Sequence, residues 1–428
     1  MRDIIVTMIV FGSIPLIFLQ PYVGILMWSW LGYMNPHRLA WGFSTNFPFA
    51  MIIALITVAA LLFSKEPKRI PWTSESKLLL IFILWMLVTT IFSIYPDLAW
   101  VQLGKIVKIQ LAIFLTLILI NSREKLHALV WAIALSLGFY GIKGGIFTII
   151  SGGNHRVWGP EGTFIGGNNE IGLALIMTIP LMRYLQLNTQ RVWLRYGLIG
   201  AMGLSAVAVL GTQSRGALLG IIAMGLFLWI KSRQKFVLMI LLVLSIPVLL
   251  SFMPESWYER MGTIKTYNQD ESALGRFEAW EFSIEQAIAR PLTGGGFEIF
   301  YDRTDAHSIY FEILGEHGFV GLILFLSLGI MAWRTGGWVM KNCADKPELK
   351  WLADLAGMLQ VCLIGYAVGG AFLGLAYFDL YYHLVAMLAI CKLLFLKAQS
   401  GDVGKVIQNK NTPWFQKRDD TKKAVING

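Results

Sequence analysis

Apolar runs recur along nearly the whole chain, from Ile4 to Leu396, and short polar connections separate them. The stretches 4–19, 22–34, 46–63, 77–95, 102–121, 127–150, 170–187, 194–211, 216–230, 236–252, 309–333, 351–373 and 379–397 each predict a helix. Most are long enough to cross about 30 Å of hydrocarbon, whereas 22–34 is short for a crossing. Backbone polar groups in a bilayer must find partners within their own segment, which a helix provides. A transmembrane β-barrel would alternate polar and apolar residues over about ten positions, and these runs do not. The pattern predicts an all-α polytopic membrane protein.

The connections sort by charge. Lys65, Lys68 and Arg69, Arg123 and Lys125, Arg191 and Arg195, Lys231, Arg233 and Lys235, and Lys341, Lys346 and Lys350 alternate with segments that carry less positive charge. By the positive-inside rule the basic side is cytoplasmic, and Tyr95–Trp100, Ser151–Asn169, Gly211–Gly216 and the long loop 253–307 face outward. Thirteen crossings would place Met1 outside, so the expectation is about 12 transmembrane helices, with 4–34 partly re-entrant. The first run has no small-residue cleavage site and is expected to be retained. Residues 1–397 form a single transmembrane helical domain on this reading. Residues 398–428 form a polar cytoplasmic tail that lacks hydrophobic periodicity and is expected to be disordered.

Composition agrees with this picture: 56% of residues are hydrophobic and 14% charged. The net charge of +10 resides largely in the basic connections and in the tail, at Lys405, Lys410, Lys417, Arg418, Lys422 and Lys423. Orientation and attraction to anionic membrane lipids account for it; no basic soluble domain accompanies it, so nucleic acid is not a partner. Cys343, Cys362 and Cys391 lie in or beside the last spans, leaving the polar loops without a disulfide framework or a cysteine metal site. Inside the long loop, Phe277, Trp280, Ile284, Ala287 and Ile288 follow a helical period after Gly275-Arg276, predicting a short amphipathic helix that ends before Pro291. Gly294-Gly295-Gly296 then predicts a flexible or closely approached turn.

Neither metal nor nucleotide signatures appear: there is no H-E-x-x-H, no paired C-x-x-C and no G-x-x-x-x-G-K. No cofactor is expected. The leading catalytic candidate is His307, where a polar loop meets an apolar helix. A neutral imidazole there can take a proton from a hydroxyl, although capping of the helix is a competing role. His317 is expected to pack or hydrogen-bond within the bundle. Arg215, in the short turn Gly211–Gly216, and Arg276 supply guanidinium forks suited to a diphosphate, with lipid headgroup contact as the alternative. Lys105 and Lys108 share a helix face inside an apolar run, where they face a cavity or snorkel outward; with Arg215 and Arg276 they are expected to bind the diphosphate donor. His155, Arg156, Asn168, Asn169 and Tyr310 are possible lining residues of the same outward cavity. Gly315, Gly318 and Gly321 are expected to let helices approach closely.

His307-Ser308 followed by Gly318 resembles the signature of bacterial O-antigen ligases, Wzy-type polymerases and protein O-oligosaccharyltransferases. Thr212–Gly216, Gly275–Leu292 and Gly294–Phe297 are similar to the family's other recurring segments, in the same order. Met34–Arg38 resembles the exosortase-associated branch of O-glycosylation ligases. The resemblance implies a GT-C-like, multi-pass enzyme of the bacterial inner membrane with a periplasmic active site. It implies metal-independent, inverting transfer of a glycan from undecaprenyl diphosphate to lipid A core oligosaccharide, a growing glycan or a protein. His307 is then the base, and Arg215 and Arg276 hold the diphosphate. A flippase or other transporter is the rival from another class; it calls for charged residues along the whole membrane path and for duplicated halves.

Overall fold

The computed structural model describes residues 1–232, 235, 236, 239, 240, 253–262 and 271–400. The expected span 236–252 falls largely outside them, and the expected tail beyond Ser400 falls wholly outside. Among the described residues the regular structure is entirely helical. In chain order the α-helices are α1 (Arg2–Leu19), α2 (Tyr22–Met34), α3 (Phe49–Phe63), α4 (Ser74–Ile91), α5 (Pro96–Leu119), α6 (Arg123–Ile150) and α7 (Asn168–Asn188). They continue as α8 (Val192–Gly211), α9 (Arg215–Lys231), α10 (Glu255–Gly262), α11 (Glu271–Ala289), α12 (Ile309–Cys343), α13 (Lys350–Gly370) and α14 (Asp379–Gln399). Nine of the described helices are long and apolar enough to cross a membrane, which makes this a multi-pass membrane protein.

Helices α7, α13 and α14 form the centre and are buried almost all the way round, whereas α1 keeps a large apolar surface. Small residues set the closest approaches. A Cβ on Gly220 of α9 would lie 3.2 Å from the Cα of Gly369 in α13, so these backbones meet with no side chain between them.

Contacts at the helix ends divide the connections as the charge pattern does. At the basic end Lys125 bonds Glu66 at 2.7 Å and lies 5.3 Å from the Tyr22 ring, and Lys397 is within electrostatic reach of Glu66. At the opposite end Ile94 N–H donates to Gly295, Val157 N–H to Gly211 and the Trp257 indole to Leu210. The N-terminus stands at this second end as well. The Arg2 guanidinium donates to Leu39 at 3.0 Å, and the Asp3 carboxylate accepts from Gly42 and Ser44. Helices α1 and α2 therefore make an antiparallel hairpin whose turn lies near Tyr22. Met1 and Gln399 thus lie at opposite ends of the described helices, whereas the expected even count would place them at the same end. The charge pattern alone could not fix the parity, because 4–34 has no basic connection within it.

Helix α12 is broken at Gly318, whose φ of 66° and ψ of −168° leave the helical region. The freed groups are taken up by the segment between α11 and α12. Gly295 N–H donates to Gly315, Gly296 N–H to Glu316, and Phe319 N–H to Pro291, at 2.8, 2.8 and 3.0 Å. This strap approaches so closely that a Cβ on Gly294 would sit 2.6 Å from the Gly315 carbonyl oxygen. The triple glycine is thus a closely approached turn, as expected. Gly318 differs from the expected helix-packing role: it is where the helix breaks.

Candidate active site

The end opposite the basic connections gathers most of the polar residues singled out above. His307 closes the loop before α12 with a left-handed φ of 45°, a conformation that costs a non-glycine residue about 1–3 kcal/mol. Its imidazole is 35% exposed, and Nδ1 lies 3.7 Å from an Asp305 carboxylate oxygen, beyond hydrogen-bond reach. Among the described residues, neither His307 Nδ1 nor the buried Ser308 hydroxyl has a hydrogen-bond partner. Glu170, near the start of α7, is within electrostatic reach of both His307 and Asp305.

Helix α11 docks onto this loop. It begins at Glu271, earlier than the period from Phe277 suggested, and it places Arg276 one turn before Trp280 on a shared face. The Trp280 indole N–H donates to the Ala306 carbonyl at 2.8 Å, and its ring stacks on Phe311 at 4.8 Å between centroids. One residue before Arg276, a Cβ on Gly275 would lie 3.7 Å from the Thr304 side chain. Arg276 is thereby carried to the side of the loop that ends in His307.

Arg215 opens α9, after a turn in which Gln213 has a φ of 53° and Ser214 caps the helix by accepting from Ala217 N–H at 3.2 Å. The 151–167 connection and the first residue of α7 clasp this turn. Arg156 Nε donates to Gln213 at 3.4 Å, Gln213 donates to Gly153 at 2.9 Å, and Asn168 donates to Thr212 at 2.9 Å. Asn169 lines a crevice with Ser214, Gly216 and Phe372. The α13–α14 connection links this turn to the His307 loop, since Gly216 abuts Phe372 while Gly374 abuts the Asp305 carboxylate. Arg215, Arg156, Asn168, Asn169 and His307 therefore border one continuous set of loops.

Three candidates lie elsewhere, and a fourth is engaged in packing. Lys105 and Lys108 sit in the body of α5, about 14 and 18 Å along the helix from Pro96. Lys108 faces α2 and α14 rather than the Arg215 turn. His155 is exposed, its ring against Phe147 of α6 at 6.3 Å. Tyr310 uses its hydroxyl to donate to the Ala367 carbonyl at 2.9 Å, which joins α12 to α13.

Residues 200–326 match the family described as O-antigen ligase, and residues 1–190 match a family of unknown function, DUF5935. The chain carries an O-antigen ligase domain. Arg215, Arg276 and His307 all fall inside the O-antigen ligase match; Lys105, Lys108, His155, Arg156, Asn168 and Asn169 fall inside the other. The match over residues 200–326 points to a membrane glycosyltransferase of the ligase and polymerase type, with lipid-linked glycans as the substrates that family suggests. No curated protein matches the chain.

Beneath the loops of the candidate site lies a buried polar network of which only His317 is expected from the sequence. Tyr377 hydrogen-bonds both Glu316 and His317 Nε2, while His317 Nδ1 meets the Thr89 hydroxyl at 2.6 Å. Glu316 also accepts from the N–H of Glu298 at 2.9 Å, and Glu312 accepts from that of Ala376 at 3.0 Å. Burial, reinforced by the Glu316 and Glu312 carboxylates, holds the Tyr377 phenol well above its ordinary pKa, so it remains a donor. His317 is fully buried and bonded on both nitrogens, in keeping with the role expected for it. A visible signal did exist for the two carboxylates: Glu312 and Glu316 stand one turn apart inside an apolar span, where acids are costly and have partners. Among the described residues, no three His, Cys, Asp or Glu side chains group closely enough to hold a metal ion.

Proposed function

We propose that the protein is an O-antigen ligase that transfers a glycan from undecaprenyl diphosphate to lipid A core oligosaccharide at the periplasmic face of the bacterial inner membrane. The observation that carries this reading is the docking of α11, with Arg276, onto the His307 loop by Trp280. The turn bearing Arg215 reaches the same loop through the α13–α14 connection. Charge supports the sidedness: the basic connections lie at the opposite end and would face the cytoplasm.

In this mechanism the acceptor hydroxyl approaches His307, which takes its proton as the oxygen bonds to the anomeric carbon. The bond from that carbon to the diphosphate oxygen breaks, and the diphosphate leaves with the electron pair. Arg215 and Arg276 hold the leaving group's charge with bidentate hydrogen bonds. Asp305 and Glu170 stabilise the imidazolium that forms. A single displacement inverts the anomeric centre and calls for no metal ion. The 253–307 segment serves as the periplasmic loop of a single GT-C-like transmembrane domain.

The deciding assay mixes purified protein, lipid-linked glycan and lipid A core, and looks for the conjugate. Conjugate that persists with a chelator and disappears with His307→Ala supports the reading. Full activity of a properly folded His307→Ala protein refutes it. Chain lengthening of the glycan without any core conjugate would point instead to a Wzy-type polymerase, and glycan on protein to an O-oligosaccharyltransferase.

A further inference from the structure

A mostly apolar cleft with a few polar groups lies away from the His307 loops, between α2, α5 and α14. It measures about 80 Å³, well above the ~15 Å³ that one buried water occupies, and is lined by Ile25, Trp28, Ser29, Lys108, Asp379 and His383, among others. Its position along α5, about 18 Å from Pro96, is roughly half the helix length. Lys108 stands at its rim on an outward face where Val101, Val107 and Leu111 are exposed, so the rim meets the bilayer.

One buried group faces this cavity without a partner. His383 is 4% exposed, and among the described residues its Nε2 has no hydrogen-bond partner. The other ring nitrogen is held by the Tyr33 hydroxyl at 2.7 Å and lies 3.2 Å from the Asp379 carbonyl, which fixes the ring's direction. Depending on which nitrogen carries the proton, Nε2 is a donor or an acceptor, and a hydroxyl satisfies either. The cavity wall pairs one ammonium, Lys108, with one carboxylate, Asp379. A neutral hydroxyl head can meet either group without bringing a further charge into the cleft. The surrounding Ile25, Trp28, Ile109 and Ala112 suit a hydrocarbon chain.

We infer that this cleft is a lateral binding site for the hydroxyl head of a long-chain membrane alcohol, of which an isoprenoid alcohol is the test case. The hydroxyl bonds to His383 Nε2 while the chain leaves past Lys108 into the lipid. The site is separate from the glycosyl-transfer reading and does not depend on it.

The experiment uses the full-length protein in lipid nanodiscs with a diazirine-tagged isoprenoid alcohol and a matched hydrocarbon lacking the hydroxyl. Labelled peptides are mapped by mass spectrometry. The expected result is label on 22–34, 101–112 and 379–388 that unlabelled alcohol displaces and the hydrocarbon does not. His383→Phe should weaken binding about five- to ten-fold, the scale of one lost hydrogen bond. Equal labelling by the hydrocarbon, label confined to other helices, or undiminished labelling of folded His383→Phe overturns the proposal. Should that variant not fold, Ser29→Ala and Lys108→Leu carry the test, and unchanged labelling in both overturns it.

Discussion

The Trp280 indole bonds the Ala306 carbonyl at 2.8 Å, one residue before His307, and so ties the helix that bears Arg276 to the strained backbone of the candidate base. Trp280→Phe keeps the stacking on Phe311 but drops the bond, and Trp280→Ala loses both. The expected falls in transfer rate are about ten-fold and about a hundred-fold, since small misplacements of reacting groups are costly. The rate constant should change more than the Michaelis constant for donor. Equal, wild-type rates in both variants would remove α11 from the site.

Arg215 and Arg276 are predicted to act through fork geometry and not through charge alone. Lysine at either position keeps the charge but loses the planar pair of donors. Each Arg→Lys variant should therefore retain less than about a tenth of the transfer rate, and each Arg→Ala should lose about 10²–10³-fold. Steady-state kinetics with purified lipid-linked donor measure this. Lysine variants as active as wild type would mean that the guanidinium plane is not used.

The break in α12 makes Gly318 hard to replace. It has a φ of 66°, and an added Cβ would lie 2.5 Å from the Leu292 carbonyl oxygen. Gly318→Ala should lower stability by at least about 1–3 kcal/mol, seen as a shorter half-life of folded protein in detergent on heating. Gly104→Ala, where an added Cβ meets nothing within 4 Å, is the control and should leave that half-life nearly unchanged.

A hydrogen bond from the Tyr95 hydroxyl to Asp302, 3.0 Å long, ties the start of α5 to the long loop. That bond, helped by desolvation and the Asp302 charge, raises the phenol's pKa above the ordinary 10.0. The folded state thus holds the proton more tightly than the unfolded one. Its stabilising effect is complete below pH 10.0 and fades as pH climbs through the raised value. Stability measured from pH 8 to 11 should fall more steeply in wild type than in Tyr95→Phe, and parallel curves would show that the bond contributes nothing.

Sidedness is open to direct chemistry, because the native Cys343, Cys362 and Cys391 are all buried. Cysteines placed at Trp41 and Asp302 should react with a membrane-impermeant maleimide applied from the periplasmic side. A cysteine at Lys68 should react only after permeabilisation. Labelling of Trp41→Cys and Asp302→Cys from opposite faces would contradict the shared end of the N-terminus and the loop.

Long apolar runs made most helices legible, and the basic connections sorted the helix ends correctly, because each signal is local and repeated. The hairpin of α1 and α2 was not legible in the same way: its turn near Tyr22 borrows positive charge from Lys125, far along the chain. Of the candidate site, Arg215, Arg276, His307, Arg156, Asn168 and Asn169 are identifiable by residue type in or beside the connections expected to face outward. Glu170 and Tyr377 lie at the edges of apolar runs and gain meaning only from partners on other elements, whereas Glu316 is legible as an acid one turn from Glu312 inside an apolar span. Lys108 is expected among the donor-binding residues, whereas it lines a separate cleft with Asp379 and His383.

The strap from Pro291 to Gly296 takes its hydrogen-bond partners from the broken turn of α12. The C-terminal half of the long loop is for that reason not a separable module. A chimaera that exchanges only the loop between relatives would bring donors without their matching carbonyls. One that also carries the upper turns of α12 through Phe319 would keep each pair together, so the natural unit of exchange crosses the membrane boundary.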